Sequence, residues 1–197
     1  MFSFFKKAKH TRLDDQVYIG RSTADAACIA EFLKLNSENV TVFLCCYFEK
    51  SQHRIQDLLS DANSTIYRMD NLSNTSHLGS MRTKSRISTN CVFLFAEHHP
   101  HFSYEETVIH EIENMCGENK PSIRFYASLE DPLMQRFGAE NIIGMMKKMG
   151  MKEDEVISHA MVTKSIVRAQ EKIANKVPSI VTAKSQEEWM NVNLPKE

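Results

Sequence analysis

Short runs of consecutive apolar residues alternate with amphipathic runs along most of the chain. The apolar runs predict strands, and they are VYIG at 17–20, NVTVFLCCYF at 39–48, STIYRM at 64–69, CVFLFA at 91–96 and IRFYA at 123–127. The amphipathic runs predict helices, and they are RSTADAACIAEFLKL, SQHRIQDLLSDA and YEETVIHEIENM. Continuous apolar strands that alternate with helices are typical of a parallel sheet covered by helices on both faces. The pattern therefore predicts an α/β fold.

Beyond Leu129 the spacing of the apolar residues is helical only. The helical runs cover 129–138, 140–150 and 159–177, with breaks at Gly138 and Gly150. Methionines in these runs make a soft apolar surface, which either packs on the sheet or forms a groove for a partner. The predicted partner-binding residues are Met145, Met146, Met149, Met151 and Trp189, and the tryptophan is either a docking anchor or exposed for a partner.

Changes in this pattern divide the chain into parts. The polar run 70–90 predicts a loop, which we add to the candidate binding surface. The predicted parts are an N-terminal segment at 1–16, an α/β lobe at 17–128, a helical extension at 129–176 and a C-terminal tail at 177–197.

The N-terminal segment begins with aromatic residues followed by lysines. Phe2, Phe4 and Phe5 precede Lys6 and Lys7, the reverse of the charge order in a secretory signal. Such a segment predicts weak peripheral contact with a membrane surface, and the alternative is a frayed terminus.

Composition excludes some classes of protein. The 197 residues carry a formal net charge of −1, so there is no basic surplus for binding nucleic acid. No apolar run is long enough to span a membrane. The five cysteines are an odd number and lie mostly in apolar runs, which predicts free thiols in a reducing cytoplasmic compartment.

Motifs for chemistry are sparse. The stretch EHHPHFSYEETVIHE at 97–111 contains four histidines that suggest a zinc site completed by Glu97 or Glu111, but their spacing is not that of ligands on one helix face. We therefore expect polar loop histidines, and they are His98, His99, His101 and His110. The chain contains no G-x-x-x-x-G-K-[ST] loop, no G-x-G-x-x-G and no G-x-S-x-G. No catalytic residue, metal or cofactor is predicted.

The stretch SIRFYASLEDPLMQRFG at 122–138 closely resembles SecA, the bacterial preprotein translocase ATPase, whose typical sequence is SSRFYLSLEDDLMRRFG. The matching residues are Arg124, Phe125, Tyr126, Ser128, Leu129, Glu130, Asp131, Leu133, Met134, Arg136, Phe137 and Gly138. The resemblance continues at Gly144, Met145, Met146, Gly150, Met151, Glu153, Asp154, Glu155, Ile157, His159, Met161, Val162, Ile166, Ala169 and Gln170. It implies a RecA-like second nucleotide-binding lobe joined to the start of a helical scaffold.

Departures from the SecA pattern affect its charged machinery. The chain has NLSNTS at 71–76 where SecA has AGRGTD, and EIENMCGENKP at 111–121 where SecA has an arginine-rich stretch. An arginine that stabilises the transferred phosphoryl group contributes strongly to catalysis. With no phosphate-binding loop and no such arginines, the chain is predicted not to be an enzyme.

The resemblance implies a SecA-like adaptor or structural subunit that contacts proteins of an export or secretion machine, in the cytoplasm or at the inner face of the membrane. One alternative is a split ATPase in which a partner supplies the phosphate loop and this chain supplies arginines. Its candidate arginines are Arg82, Arg86 and Arg124. The other alternative is metal binding by the histidine cluster.

Overall fold

A computed structural model of the chain describes residues 10–59, 64–69, 81–84, 90–148, 150, 152, 154–157 and 160–194. The strands are β1 (Thr11–Arg12), β2 (Gln16–Tyr18), β3 (Thr41–Cys46), β4 (Ile66–Arg68), β5 (Cys91–Phe95) and β6 (Ser122–Ser128). The helices are α1 (Arg21–Ser37), α2 (Glu49–Leu58), α3 (Phe102–Cys116), α4 (Pro132–Gln135), α5 (Ala139–Lys148), α6 (Ala160–Ala174) and α7 (Gln186–Asn193), with a further helical turn at 81–84.

The strands form one parallel sheet. Its order is β1-β6-β5-β3-β4, with β2 also paired to β6. Each of the predicted apolar runs overlaps an observed strand. The predicted RecA-like α/β fold, a parallel sheet with helices on both faces and a helical extension, is confirmed.

Alternate residues of the strands supply two cores. Leu44 and Cys46 of β3 face the side covered by α1 and α2. Phe43 and Cys45 face the opposite side, where α3, α6 and α7 pack. Because successive side chains of a strand point to opposite faces, the adjacent cysteines belong to different cores, as their spacing predicts.

Ile157, which lies between α5 and α6, is attached to the edge of the sheet. Ile157 donates its N–H to the carbonyl of Val17 at 2.7 Å, and Val17 donates its N–H to the carbonyl of Ile157 at 3.4 Å, in an antiparallel bridge. The helical extension is thereby fixed to β2 by main-chain bonds as well as by apolar packing.

Two predicted features fall largely outside the described residues. These are the N-terminal run Phe2 to Lys7 and most of the predicted loop at 70–90. In the part of the chain that is described, no helix combines the length and the apolar character needed to cross a membrane.

Candidate functional site

The turn between β6 and α4 (Leu129–Asp131, hereafter the β6–α4 turn) lies at the carboxyl end of the sheet. The Ser128 hydroxyl donates to the carbonyl of Ile19 at 2.9 Å and accepts the N–H of Glu130 at 3.0 Å. An oxygen of Asp131 accepts the N–H of Ser128 at 2.8 Å, and Pro132 follows at the first position of α4. These bonds hold the turn against the segment that follows β2.

A cleft of about 210 Å³ opens on one side of this turn, and we call it the polar cleft. It lies where several parallel strands end, the position at which open α/β sheets usually bind ligands. The charged and hydroxyl side chains that line it include Arg21, Lys50, Ser51, Arg54, Glu97 and Asp131.

Carboxylates bind the two arginines of the polar cleft. Arg21 Nη1 lies 3.0 Å from both carboxylate oxygens of Asp131, and its Nε lies 3.2 Å from Asp25 Oδ1. Arg54 Nε donates to Asp25 Oδ2 at 2.6 Å. Burial lowers the pKa of Arg21, but Asp131 and Asp25 raise it by more than burial lowers it, so the net shift is upward. An anion entering this cleft must compete with these carboxylates.

Glu97 supports the start of α2 from inside the protein. One carboxylate oxygen accepts the N–H groups of Tyr47 and Phe48 at 3.1 and 3.3 Å, and the other accepts the Ser51 hydroxyl at 2.6 Å. Tyr47 and Phe48 are the two residues just before α2, and backbone N–H groups at the start of a helix lack partners within the helix. Burial raises the pKa of Glu97, against the opposing effect of the Ser51 hydrogen bond.

An apolar groove of about 280 Å³ opens on the other side of the β6–α4 turn. Phe137 and Ile142 are 40% and 41% exposed there, so the groove presents large apolar side chains to solvent. The Lys172 ammonium lies 6.0 Å from the centroid of the Phe137 ring. The apolar residues of the groove include Val17, Leu129, Met134, Met146, Val162 and Ile166.

The predicted partner-binding residues do not all lie at this groove. Met146 lines it, and Met145 belongs to α5, whereas Met149 and Met151 fall outside the described residues. Trp189 is only 1% exposed, and its ring centroid lies 5.3 Å from that of His99. The tryptophan is therefore an internal anchor for α7, the first of the two predicted alternatives. Partner binding by the methionines stays a prediction.

The expectation of polar loop histidines is wrong for His98, His99 and His101, which are buried beneath α6 and α7. His98 Nδ1 lies 3.1 Å from both carboxylate oxygens of Glu105, and its Nε2 lies 3.4 Å from Asp15 Oδ2. Burial lowers the pKa of His98, but the two carboxylates raise it by more than burial lowers it, and the resulting pKa is about 9. His98 is thus a buried imidazolium held between two acids at neutral pH.

The remaining histidines have different surroundings. His101 donates its N–H to His99 Nδ1 at 3.0 Å, and burial lowers the pKa of His99 to about 3. His110 is exposed on α3, with Nδ1 3.0 Å from Glu113 Oε2. Across the described residues no group of three or more histidines, cysteines and acids is arranged to hold a metal ion. The alternative of a zinc site in this cluster is therefore not supported.

Sequence reasoning missed the amides and arginines that complete these sites. Gln170 Nε2 donates to the carbonyl of His99 at 2.7 Å, and Gln186 Nε2 donates to the carbonyl of His98 at 2.9 Å. The one available signal was Gln170, which matches the SecA pattern. Among the predicted arginines, Arg124 pairs with Glu31 at 2.5 Å outside the cleft, and Arg86 is not described.

The part of the chain that carries the β6–α4 turn matches a known protein family. Residues 113–154 match the family model described as the SecA P-loop domain. This segment is SecA-related. It runs from the last turn of α3 through β6 and the β6–α4 turn to the residues beyond α5.

Curated relatives agree over a similarly limited length. Protein translocase subunit SecA of Pelotomaculum thermopropionicum is 46% identical over 68 residues, 34% of this chain and 8% of the relative. SecA of Acidithiobacillus ferrooxidans is 55% identical over 53 residues, 27% of this chain and 6% of the relative. SecA of Acinetobacter baylyi is 56% identical over 50 residues. The aligned region spans less than a tenth of these SecA proteins.

The SecA match corrects the prediction that the chain is not an enzyme. That prediction rested on the lack of a phosphate-binding region, but residues 113–154 match a family defined as a P-loop domain. The prediction is therefore wrong as reasoned. Motif strings mark only one part of such a domain, so their absence from the sequence is a poor guide to whether the fold around a nucleotide is present.

Proposed function

We propose that this chain acts by protein–protein contact as a SecA-like adaptor or structural subunit of a protein translocation or secretion assembly. The observation that carries the proposal is the apolar groove, which takes half of its lining residues from the SecA-related segment and has exposed apolar walls. The relatives of this segment are named as translocase subunits. We place the chain in the cytoplasm or at the inner face of the membrane.

The groove joins the two main predicted parts of the chain, which we retain as a lobe at 17–128 and an extension at 129–176. Val17 contributes from the lobe, whereas Ile142 and Ile166 contribute from the extension. Exposed apolar side chains cost free energy in water, and their burial by a partner regains about 25 cal/mol per Å². This is a physical reason for a partner to occupy the groove.

The side chains next to the groove favour a partner segment with acidic flanks. Arg168 and Lys172 of α6 are exposed, and each lies three residues along the helix from a groove residue, Ser165 and Ala169. Residues three apart on a helix are surface neighbours. We therefore propose that the groove takes an apolar segment flanked by Asp or Glu from a protein component of the export machine.

Affinity capture with matched variants tests this proposal. We expect the full chain to retain an export or secretion component from cells of its source, and Ile142→Glu to lose it. Leu33→Glu is the control, because Leu33 is 48% exposed on α1, away from the groove. Capture without any export component, or equal capture by both variants, would argue against the groove as the docking surface.

A second candidate function is supported by the polar cleft. Arg21, Lys50 and Arg54 present cationic groups at the carboxyl ends of the strands, next to a segment that matches a P-loop domain. In this candidate the chain forms part of a nucleotide site that a partner with a phosphate loop completes. Guanidinium groups suit this role because they bind phosphate in a bidentate manner.

ATP turnover distinguishes the second candidate from the first. We expect the chain mixed with its captured partner to hydrolyse ATP faster than the partner alone, and Arg54→Gln to remove the increase. Arg168→Gln, which changes an exposed arginine of α6, is the matched control. An unchanged rate on mixing would count against this candidate without affecting the docking proposal.

A further inference from the structure

A single amide lies on the buried face of α6. Among the residues of this helix whose burial is described, those that are buried are Ile166, Ala169, Gln170 and Ile173. Gln170 is the polar member of this set, and its exposed fraction is 0%. An otherwise apolar helix face therefore brings one polar side chain into the core.

The Gln170 amide bonds to groups that follow β5. Its Nε2 donates to the carbonyl of His99 at 2.7 Å and to Glu105 Oε2 at 3.0 Å. The same oxygen of Glu105 accepts the N–H of His99 at 3.0 Å. Both main-chain polar groups of His99 are thus satisfied by side chains, one from α3 and the other from α6, as buried backbone groups require.

The same part of α6 forms one wall of the apolar groove. The groove residues of this helix are Val162, Ser165, Ile166 and Ala169. Ile166 lies four positions before Gln170, so the two share one side of the helix. Met134 of α4 and Met146 of α5 also line the groove. The position of α6 along its own axis therefore decides which side chains stand in the groove beside these methionines.

Apolar packing alone does not determine that position. Hydrophobic burial is non-directional, and the inward residues of α6 recur every three or four positions. A shift by one turn, about 5.4 Å, therefore exchanges most of these apolar residues for one another. For Gln170 the same shift is unfavourable, because it leaves the carbonyl of His99 buried without its donor and moves an amide to an apolar position.

We propose that Gln170 is a positioning residue that fixes the register of α6 against α3 and thereby sets the shape of the apolar groove. A single buried polar residue selects one helix register in coiled coils by the same physical means. Without the amide, α6 occupies shifted registers in which Ile166 and Ala169 leave their places in the groove. The consequence for partner docking rests on the proposed function, whereas the register itself does not.

Methionine NMR of the full chain tests the register. Met134 and Met146 line the groove, whereas Met69 and Met81 are buried elsewhere in the same core. With [methyl-13C]methionine, wild type is expected to give one signal for each of these residues, assigned by replacing each methionine with leucine in turn. Gln170→Leu should give more than one signal for each groove methionine and leave the signals of Met69 and Met81 unchanged.

Gln52→Leu is the matched control. Gln52 Nε2 of α2 also donates to a main-chain carbonyl, that of Ile66 at 3.3 Å, but it does not line the groove. Its replacement should leave one signal for each groove methionine. Single, unshifted signals of Met134 and Met146 in Gln170→Leu would overturn the proposal.

Circular dichroism shows whether Gln170→Leu folds. If it does not, Gln170→Met, with an unbranched side chain of similar length, is measured in its place. Failure of both variants to fold, while Gln52→Leu folds, would also overturn the proposal. The amide would then be a requirement of the fold and not a choice between registers.

Affinity capture links the register to docking. The relative intensities of the methionine signals give the population of the native register in Gln170→Leu. Because only this register is competent to dock, the export component that it captures should fall in proportion to that population. Capture at the wild-type level despite multiple signals would overturn the link to docking and leave the register assignment supported. If wild type captures no export component, the proposed function fails, and the NMR result still decides the register.

Discussion

Arg21 and Asp131 are separated by 110 residues in the chain, yet one guanidinium nitrogen lies 3.0 Å from both carboxylate oxygens. The pair connects the first residue of α1 to the β6–α4 turn. Asp131 also accepts the N–H of Ser128, so a single carboxylate holds both the turn and the arginine. The geometry of the polar cleft depends on this residue.

Removal of that carboxylate should therefore destabilise the protein. We expect Asp131→Ala to lower the free energy of unfolding by about 3 kcal/mol, because it leaves a largely buried guanidinium without one of its partners. Chemical denaturation followed by circular dichroism measures the change. The control Asp57→Ala alters an exposed aspartate of α2 and should shift stability by no more than about 0.5 kcal/mol. Equal effects of the two changes would contradict the role given to Asp131.

The buried imidazolium of His98 predicts a loss of stability at alkaline pH. Its folded pKa of about 9 lies above the unfolded value near 6.5, so its stabilising contribution is complete below about pH 6.5 and is lost as the pH rises through about 9. We expect His98→Gln to cost about 3 kcal/mol near pH 6.5 and progressively less towards pH 9. Urea unfolding at several pH values measures this difference.

His110→Gln is the matched control for that series. His110 is an exposed histidine on α3, beside Glu113. A stability loss for His98→Gln that did not vary with pH would mean that His98 contributes by packing and not by charge.

His99 predicts the opposite trend at acidic pH. Its folded pKa of about 3 lies below the unfolded value near 6.5, so its contribution is complete above about pH 6.5 and is lost as the pH falls towards 3. The slope due to this one group approaches about 1.4 kcal/mol per pH unit. We expect His99→Phe to flatten the acid limb of the stability profile. An acid limb of unchanged slope in this variant would refute the assignment of a neutral buried imidazole.

Trp189 gives a direct test of how α7 is anchored. It is 1% exposed and packs against His99 and His101, so Trp189→Ala should cost about 3–5 kcal/mol. Val192→Ala, at a 51% exposed position of the same helix, should change stability little. As the chain has a single tryptophan, its fluorescence reports on this site alone. Blue-shifted emission that acrylamide quenches poorly is expected, and emission typical of solvent-exposed indole would contradict the packing.

The sequence was sufficient for the elements of the fold but not for its polar sites. The run from Cys91 to Phe95 could be recognised as a strand because a strand buried on both faces is continuously apolar. The helices beyond Leu129 could be recognised from their period, and the β6–α4 turn from its resemblance to SecA. Each of these signals is local in the chain.

The histidine cluster could not be placed in the same way. His98 and His101 lie in a polar-looking stretch, and their burial depends on α6 and α7, which cover them from far along the chain. His101 Nε2, for example, lies 3.1 Å from the carbonyl of Val177, 76 residues away. The pairing of Arg21 with Asp131 could not be predicted for the same reason, since the local sequence around either residue does not indicate its partner. Such sites are formed by packing between residues far apart in the chain, which the periodicity of the sequence does not reveal.

The bridge between Val17 and Ile157 has a practical consequence for shortened versions of this protein. A strand at the border of a sheet exposes N–H and C=O groups that can pair with a second molecule, which is a common origin of aggregation. Here Ile157 occupies those groups of Val17 at the outer side of β2. A truncated chain that ends before Ile157 would uncover this border, so an expression boundary intended to isolate the sheet belongs after Ile157.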